Sequence, residues 1–271
     1  MEQNTTESWG KFTPNKLQEW AIEQSNVRPS SLWGSFCRKL VLSGLQHPLD
    51  VRLWGANFRL YPNDNLCEKR ALLSRAKFDV QERQALSERM HRDFKFVDVG
   101  ANIGLYSLFV AMHQDFEGQI LAIEPQPVIK ERLRFNLLSN PGATVVHADC
   151  AVSDKKGVAR MAVSRRNRGA SGFHLRSDKE PDEEVMVQTL PLAEVLNRHN
   201  MNGADALKID IEGAEDQVLP LFFEQTPAED MPKLLILERN ETWDTDCIAL
   251  AKSIGYQQIT QAHMNVVLEK T

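Results

Sequence analysis

The fold is decided by residues 96–104, which read Phe96-Val97-Asp98-Val99-Gly100-Ala101-Asn102-Ile103-Gly104. The first four residues form a short apolar run that is typical of a buried strand. Apolar residues then recur at helical spacing, at Leu105, Leu108, Phe109 and Met112. A helix is therefore predicted to begin just after Gly104, and the glycine at the strand end lets a ligand approach the backbone closely.

The alternation of strand and helix continues to the C-terminus. Further strands are predicted over residues 119–123, 144–147, 206–211 and 233–237. Helices are predicted over residues 127–138 and 245–254, and a closing hairpin over residues 256–260 and 265–268. Strands that alternate with helices of this length predict right-handed βαβ units and a Rossmann-like α/β sandwich with a mostly parallel sheet.

Residues 1–94 lack the regular alternation of strands and helices that is predicted for residues 95–271. A helix is predicted over residues 31–45, with an apolar side formed by Leu32, Trp33, Phe36, Leu40 and Val41. A small hairpin is predicted over residues 51–60. We therefore expect an N-terminal helical and hairpin extension that covers an edge or the mouth of a Rossmann-like domain at 95–271. The alternative for the helix is a position on a membrane surface.

Composition narrows the class of protein. The chain has 271 residues, of which 42% are hydrophobic and 25% charged, as in an ordinary soluble globular protein. The net charge of −5 argues against a general nucleic-acid binder. The four cysteines form no CxxC pair, and neither a signal sequence nor a run of about 18 apolar residues occurs. These features predict a cytoplasmic protein without a membrane span.

The glycine turn has an acidic partner. Glu124 follows the next predicted strand, 20 residues after Gly104. A carboxylate there accepts hydrogen bonds from both hydroxyls of a ribose, in NAD and in S-adenosylmethionine alike. The turn itself favours the methyl donor, because Asn102 replaces the middle glycine of a pyrophosphate loop and Asp98 suits a cationic ligand. Gly100, Ala101, Asn102 and Gly104 are therefore predicted to contact S-adenosylmethionine.

The strand at residues 206–211 carries three charged residues on one face, namely Lys208, Asp210 and Glu212. A central strand of a parallel sheet is normally apolar on both faces, so these groups require partners or a cavity. Ligands in open α/β sheets bind beyond the carboxyl ends of the strands, where Asp210 and Glu212 are predicted to lie. Glu238, at the end of the fifth strand, is predicted to reach the same crevice.

Three segments, in this order and at these spacings, resemble the FkbM family of methyltransferases. They are residues 97–104, Ile123-Glu124-Pro125 and residues 207–215. The resemblance extends from about Val51 to the C-terminus. It implies the class I methyltransferase fold, with a seven-stranded sheet, and transfer of a methyl group from S-adenosylmethionine to a hydroxyl oxygen of a sugar or natural product. The chain departs from many members at residues 189–192 and at Arg239-Asn240.

Methyl transfer to a hydroxyl suggests a role for each predicted site residue. Asp210 is the first candidate for the base that accepts the hydroxyl proton and Glu212 the second, whereas Glu238 is predicted to orient the acceptor. Lys208 is the fourth catalytic candidate, and the alternative is that it neutralises a buried carboxylate. Asp149 and Cys150, after the third strand, are predicted to line the adenine. A magnesium ion on the three acidic residues is conceivable, but no metal is assigned.

A basic block at residues 155–176 comprises Lys155, Lys156, Arg160, Arg165, Arg166, Arg168 and Arg176, and an acidic run at residues 178–184 follows it. One interpretation is a solvated hairpin. The other is a lid that contacts an anionic acceptor, with His174 as an alternative base.

Two rival functions are left open. An NAD-dependent oxidoreductase would bind a nicotinamide cofactor and would not respond to S-adenosylhomocysteine. A non-catalytic cofactor-binding module would have no turnover to lose on substitution of Asp210. The identity of the acceptor and the oligomeric state are not predicted.

Overall fold

The computed structural model describes residues 7–172, 181–241, 243–261 and 265–271. The N-terminal part forms helices α1 (Lys16–Val27) and α2 (Leu32–Ser43), strands β1 (Leu49–Leu53) and β2 (Ala56–Leu60), and helices α3 (Leu66–Leu73) and α4 (Val80–Ser87). Strands β1 and β2 pair as the predicted antiparallel hairpin. Asn65 caps α3, because its side chain accepts hydrogen bonds from the backbone N–H groups of Cys67 and Glu68.

Strands and helices then alternate along the chain. They are β3 (Lys95–Val99), α5 (Leu105–Ala111), β4 (Gln119–Ile123), α6 (Pro127–Leu138), β5 (Val145–Ala148), β6 (Ala151–Val152), β7 (Gly157–Val163), β8 (Glu183–Leu190), α7 (Leu192–Arg198), β9 (Ala206–Ile209), α8 (Glu215–Gln225), β10 (Leu234–Glu238), α9 (Cys247–Ser253), β11 (Tyr256–Gln261) and β12 (Asn265–Lys270).

Seven of these strands form the main sheet, in the order β11-β12-β10-β9-β3-β4-β5. The neighbours from β10 to β5 pair in parallel, and β12 is antiparallel to both β10 and β11. The predicted Rossmann-like α/β fold, with a mostly parallel seven-stranded sheet and a C-terminal antiparallel hairpin, is confirmed. Strands β6, β8 and β7 form a separate small sheet beside it.

The fourth predicted strand is shorter than expected. Strand β9 ends at Ile209 rather than at residue 211, so the prediction that Lys208, Asp210 and Glu212 share one strand face was wrong. The backbone N–H of Ile211 donates to Oε1 of Glu215 at 2.7 Å, and Glu212 adopts a left-handed φ of 58°. The chain therefore turns into α8 directly after Asp210.

Helix α2 also differs from its prediction. Leu32, Trp33 and Phe36 on the predicted apolar side are 92%, 43% and 54% exposed, whereas Gly34 and Cys37 are buried. A Cβ on Gly34 would lie 2.1 Å from the carbonyl oxygen of Arg28. Val41, which was also predicted on the apolar side, is 1% exposed, and Leu40 packs partly buried against the core, so the prediction fails only for the first half of the helix.

The N-terminal part shares its core with the sheet. One hydrophobic cluster contains Phe58 and Leu72 from this part together with Phe96 and Leu108 from β3 and α5. The division at residue 94 therefore stays a prediction. Across the part of the chain that the structure describes, no helix combines the length and hydrophobicity needed to cross a membrane.

Candidate active site

The carboxyl ends of β3 and β9 lie side by side at the point where the strand order reverses. Open α/β sheets bind their ligands at this topological switch point. The backbone N–H of Asp210 donates to the carbonyl of Val99 at 3.1 Å and holds the two strand ends together. A cavity of ≈ 920 Å³ opens above them, at the upper end of the size range of small-molecule sites.

Gly100 begins the turn after β3, at a position that leaves no room for a side chain. Its φ is 74°, and a Cβ would lie 1.9 Å from the carbonyl oxygen of Asp210. Ala101 and Asn102 continue along the cavity wall. Gly104 is the N-cap of α5, and a Cβ there would lie 2.7 Å from the side chain of Leu133. Gly104 thus serves helix packing, whereas the backbone at Gly100 faces the cavity.

Glu124 lies at the end of β4 on the same wall. Its two carboxylate oxygens accept hydrogen bonds from the backbone N–H groups of Asn102, at 3.0 Å, and Gln126, at 2.9 Å. Burial raises the pKa of Glu124 to about 7, and the charges of Asp98 and Asp210 add to this shift against the two backbone hydrogen bonds. The carboxylate is therefore oriented towards the glycine turn before any ligand is present.

Asn102 is held by protein contacts. Its Oδ1 accepts hydrogen bonds from the side chain of Asn65 and from the backbone N–H of Ile103, both at 2.9 Å. Its φ of 51° is left-handed, as is common for asparagine in tight turns. Asn102 therefore fixes the turn through its side chain.

Asp98 is buried at the base of the cavity. Its Oδ2 accepts hydrogen bonds from the hydroxyl of Ser107, at 2.7 Å, and from the backbone N–H of the same residue, at 3.1 Å. Burial raises the pKa of Asp98, and the nearby Lys208 ammonium opposes that shift. Asp98 thus joins β3 to α5 and adds a negative group beneath the cavity.

Lys208 and Asp210 form an ion pair of 2.9 Å between Nζ and Oδ2. The Lys208 side chain is only 5% exposed, and its Nζ lies 5.1 Å from the ring centroid of Tyr106. Burial lowers the pKa of Lys208, but the carboxylates of Asp210 and Asp98 outweigh it and raise the pKa overall. The carboxylate that pairs with Lys208 is itself 34% exposed, and both predicted roles of Lys208 stay predictions.

The other predicted site residues divide between the cavity and the surface. Glu212 and Glu238 line the cavity, and so does Cys150, in which burial raises the pKa of the thiol to about 11. Asp149 lies outside the cavity lining and forms a 2.7 Å ion pair with Lys130. The structure therefore does not bring Asp149 together with the other predicted cofactor residues.

Comparison with known proteins identifies the family. A family model described as the methyltransferase FkbM domain matches residues 98–266, which is more than half of the chain. The chain belongs to the FkbM methyltransferase family. The predicted membership is confirmed, and with it S-adenosylmethionine as the methyl donor of the family.

Two curated relatives match part of the chain. The 31-O-demethyl-FK506 methyltransferase FkbM of Streptomyces tacrolimicus is 33% identical over 150 residues, covering 45% of this chain and 56% of the relative. The methyltransferase sdnD of Sordaria araneosa is 30% identical over 151 residues, covering 45% of this chain and 58% of the relative. The chain thus spans a little over half the length of these relatives.

A solved FkbM structure resembles the chain at lower identity. The methyltransferase FkbM of Methylobacillus flagellatus KT has 19% sequence identity and a TM-score of 0.43, and the match covers 66% of this chain and 44% of that chain.

The sequence did not reveal that the N-terminal part contributes to the cavity of this FkbM domain. Cys67 of α3, together with Asp79 and Glu82 at α4, lines the same cavity as Glu124. Glu82 is 1% exposed, although the surrounding sequence is that of a mostly polar helix. Only the return of α4 onto the sheet reveals this burial. That the extension covers an edge or the mouth of the Rossmann-like domain stays a prediction.

The basic block lies mainly on the outside of the β7–β8 hairpin. Its cations pair with acidic neighbours, as in Lys156–Glu194 at 3.3 Å, Arg160–Glu184 at 3.7 Å and Arg165–Glu183 at 3.7 Å. Arg168 lines the cavity and lies 3.5 Å from Asp64. His174, Arg176 and the start of the acidic run lie outside the described residues.

The described residues were compared with the arrangements that bind metal ions. Among residues 7–172, 181–241, 243–261 and 265–271, no group of three or more His, Cys, Asp or Glu side chains has such an arrangement.

Proposed function

We propose that the chain is an S-adenosylmethionine-dependent O-methyltransferase that acts on a hydroxyl group of a sugar or natural product. The observation that supports this proposal best is that candidate donor-binding groups and candidate proton-accepting groups line one cavity at the switch point of the sheet. Glu124 and the turn at Gly100 line the same cavity as the carboxylates of Asp210, Glu212 and Glu238. Membership of the FkbM family and the printed name of the Streptomyces relative, a methyltransferase of 31-O-demethyl-FK506, support the same reaction.

The residues on the Glu124 side fit the methyl donor. A carboxylate oriented by two backbone N–H groups is suited to the two hydroxyls of a ribose. The Cβ-free backbone at Gly100, with Ala101 and Asn102 beside it, leaves room for the amino-acid end of the donor, and Asp98 adds a favourable negative charge for a cation. When bound, S-adenosylmethionine supplies an electrophilic methyl group on a sulfonium centre.

The residues on the Asp210 side fit the acceptor. The acceptor oxygen forms the new bond to the methyl carbon as the bond from that carbon to sulfur breaks, which leaves S-adenosylhomocysteine and releases the hydroxyl proton. Asp210, oriented by its ion pair with Lys208, is the first candidate to take that proton, followed by Glu212. Glu238, the last residue of β10, is positioned to orient the acceptor.

The ion pairs formed by the basic block indicate whether the cavity suits a negatively charged acceptor. An anionic acceptor would require cations that point into the cavity, whereas Lys156 pairs with Glu194 of α7, and Arg160 and Arg165 pair with Glu184 and Glu183 of β8. This favours the interpretation of the block as a solvated hairpin. The same arrangement favours an acceptor without a phosphate or carboxylate.

The proposal is tested by calorimetric titration with S-adenosylhomocysteine. Saturable binding is expected, with a loss of at least tenfold in affinity for Glu124→Ala. Glu131→Ala is the matched control, because Glu131 lies on the exposed face of α6 and pairs only with Arg134 among the described contacts. A response to NAD in place of S-adenosylhomocysteine would contradict the proposal. Methyl transfer that Asp210→Asn leaves unchanged would remove Asp210 as the base.

A further inference from the structure

Glu82 is a buried carboxylate at the cavity wall that the proposed chemistry does not use. It lies in the first turn of α4 and is 1% exposed. Its Oε1 accepts a hydrogen bond of 2.7 Å from the side-chain amide of Asn265 at the start of β12. Its Oε2 is also buried and has no hydrogen-bond partner among the described residues.

A buried polar atom without a partner is unfavourable, and native structures contain few of them. The penalty is larger for a carboxylate than for a neutral group. Because Glu82 lines the cavity, a ligand there can provide the missing donor. The carboxylate therefore points to a ligand group that donates a hydrogen bond.

The surroundings of Glu82 are acidic. Asp79, Asp210, Glu212 and Glu238 line the same cavity. The charges of Glu82, Asp79 and Asp210 all act on the hydroxyl of Tyr106, whose pKa is raised first by burial and then by these carboxylates. Tyr106 donates its hydroxyl to Asp79 at 3.1 Å, and its ring centroid lies 5.1 Å from Nζ of Lys208, which pairs with Asp210.

The cations near this region have contacts within the protein. Lys208 pairs with Asp210 at 2.9 Å, Arg70 lies 3.4 Å from Asp79, and Lys77 donates to the hydroxyl of Ser30 at 2.6 Å. Arg83, on which the charges of Asp79 and Glu82 also act, donates to the backbone carbonyl of Phe78 at 2.8 Å. A phosphate or carboxylate here would meet like charges, whereas a hydroxyl or ammonium group would meet acceptors.

We propose that Glu82 binds a hydroxyl or ammonium group of the methyl acceptor, and that the enzyme therefore selects neutral or amino-bearing polyols over anionic ones. This inference rests on the proposed methyltransferase function and assigns a substrate class to its acceptor side. Glu82 is a specificity residue, separate from the groups that hold the donor and take the proton.

The substrate class is tested with tritiated methyl transfer to matched compounds. Two scaffolds, a hexose and inositol, are each offered as the neutral polyol, the amine and the phosphate. Transfer is expected to the neutral or amino compounds, with at least tenfold less to the phosphates. Transfer confined to the phosphates, or to none of the compounds, overturns the inference. S-adenosylhomocysteine binding in the same preparation separates this failure from failure of the proposed function, in which that binding is also absent.

The residue is tested with Glu82→Gln against Glu88→Gln, which replaces an exposed glutamate just after the same helix. Loss of the charge-assisted bond is expected to raise the acceptor KM about tenfold in Glu82→Gln and to leave the affinity for S-adenosylhomocysteine unchanged. The amide of Glu82→Gln keeps an oxygen for the bond from Asn265 and replaces the oxygen that has no partner among the described residues. The Tm is therefore also expected to equal or exceed that of the wild type, which a purely structural role would not produce.

Glu82→Asp gives a second measurement, since it keeps the charge and withdraws the carboxylate by one methylene group. A raised acceptor KM with unchanged S-adenosylhomocysteine affinity is again expected. Acceptor KM values equal to the wild type in both variants, or a loss of S-adenosylhomocysteine affinity that matches the loss of turnover, overturn the assignment of Glu82.

Discussion

The side-chain amide of Asn65 donates a hydrogen bond of 2.9 Å to Oδ1 of Asn102 and thereby joins the start of α3 to the turn after β3. Gly169 of the β7–β8 connection packs against both side chains, and a Cβ there would lie 2.8 Å from Nδ2 of Asn102 and 2.8 Å from Oδ1 of Asn65. Three segments that are distant in the sequence thus meet at the proposed donor turn.

Replacement of Asn65 tests whether this contact positions the turn. Asn65→Asp keeps an oxygen that caps α3 but loses the N–H donor to Asn102. Loss of one such bond is expected to weaken S-adenosylhomocysteine binding about fivefold in a calorimetric titration. Asn63→Asp, at an exposed neighbouring position, is the control. Equal affinities in the two variants would show that the contact does not position the turn.

Gly100→Ala is expected to remove donor binding. The added Cβ combines a left-handed φ of 74° with a 1.9 Å contact to a backbone oxygen, which neither residue can relieve without separating β3 from β9. We expect a loss of about 2–4 kcal/mol in the free energy of unfolding, measured in urea. Gly142→Ala, where a Cβ meets no atom within 4 Å, should change it by less than about 0.5 kcal/mol. Similar effects of the two substitutions would contradict the close approach at Gly100.

Donor binding should depend on pH through Glu124. The carboxylate form accepts both ribose hydroxyls, and the pKa of Glu124 in the ligand-free protein is raised to about 7. Affinity for S-adenosylhomocysteine is therefore expected to rise about tenfold between pH 6 and pH 8, with release of a proton on binding. In Glu124→Gln the affinity should be lower and nearly constant over this range. A wild-type affinity that falls with rising pH would contradict this prediction.

The raised pKa of Glu124 also affects the stability of the protein in the absence of ligand. Because the pKa is higher in the folded than in the unfolded state, the unfolded chain binds fewer protons between pH 4.5 and 7. The contribution of Glu124 to the free energy of unfolding therefore falls as the pH rises through this window. Urea unfolding at several pH values should show a smaller fall in Glu124→Gln than in the wild type.

Arg132 connects α6 to the segment that precedes α3. It is 3% exposed and forms ion pairs with Asp64 at 2.6 Å and Glu68 at 3.1 Å, and burial raises the pKa of Glu68 to about 7. Arg132→Met leaves Glu68 buried without its cation, which is expected to cost about 3–5 kcal/mol in the free energy of unfolding.

Glu68→Gln in the Arg132→Met background should recover part of this loss. Arg134→Met, on the exposed side of α6, should have little effect. Losses that simply add in the double variant would show that Arg132 and Glu68 are not energetically coupled.

The sheet could be predicted because the sequence patterns that indicate it each lie within a short segment of the chain. Residues 96–104 carry a strand, a glycine turn and a helix start within a few positions, and Glu124 follows at the end of the next strand. The carboxyl ends of parallel strands meet at one edge, so the sequence also placed Asp210 and Glu238 near the turn.

The rest depended on contacts between distant segments. Nothing near Glu82 in the sequence indicates that α4 returns onto β12, where Asn265 contacts it. The exposure of Asp149 follows from its pairing with Lys130 on α6, and strand β9 ends early because Glu215 of α8 binds the backbone of Ile211. Helical spacing also placed Trp33 and Phe36 of α2 inside, whereas the structure leaves both side chains exposed.

The two walls of the cavity have different origins along the chain. Glu124 and the turn at Gly100 lie within residues 98–266, which match the family model, whereas Asp79 and Glu82 precede that match. The proposed acceptor residues therefore come from both parts of the chain, because Asp210, Glu212 and Glu238 lie inside the matched segment and Glu82 lies before it. Under the proposed function, the choice of acceptor is a joint property of the family segment and of the segment that precedes it.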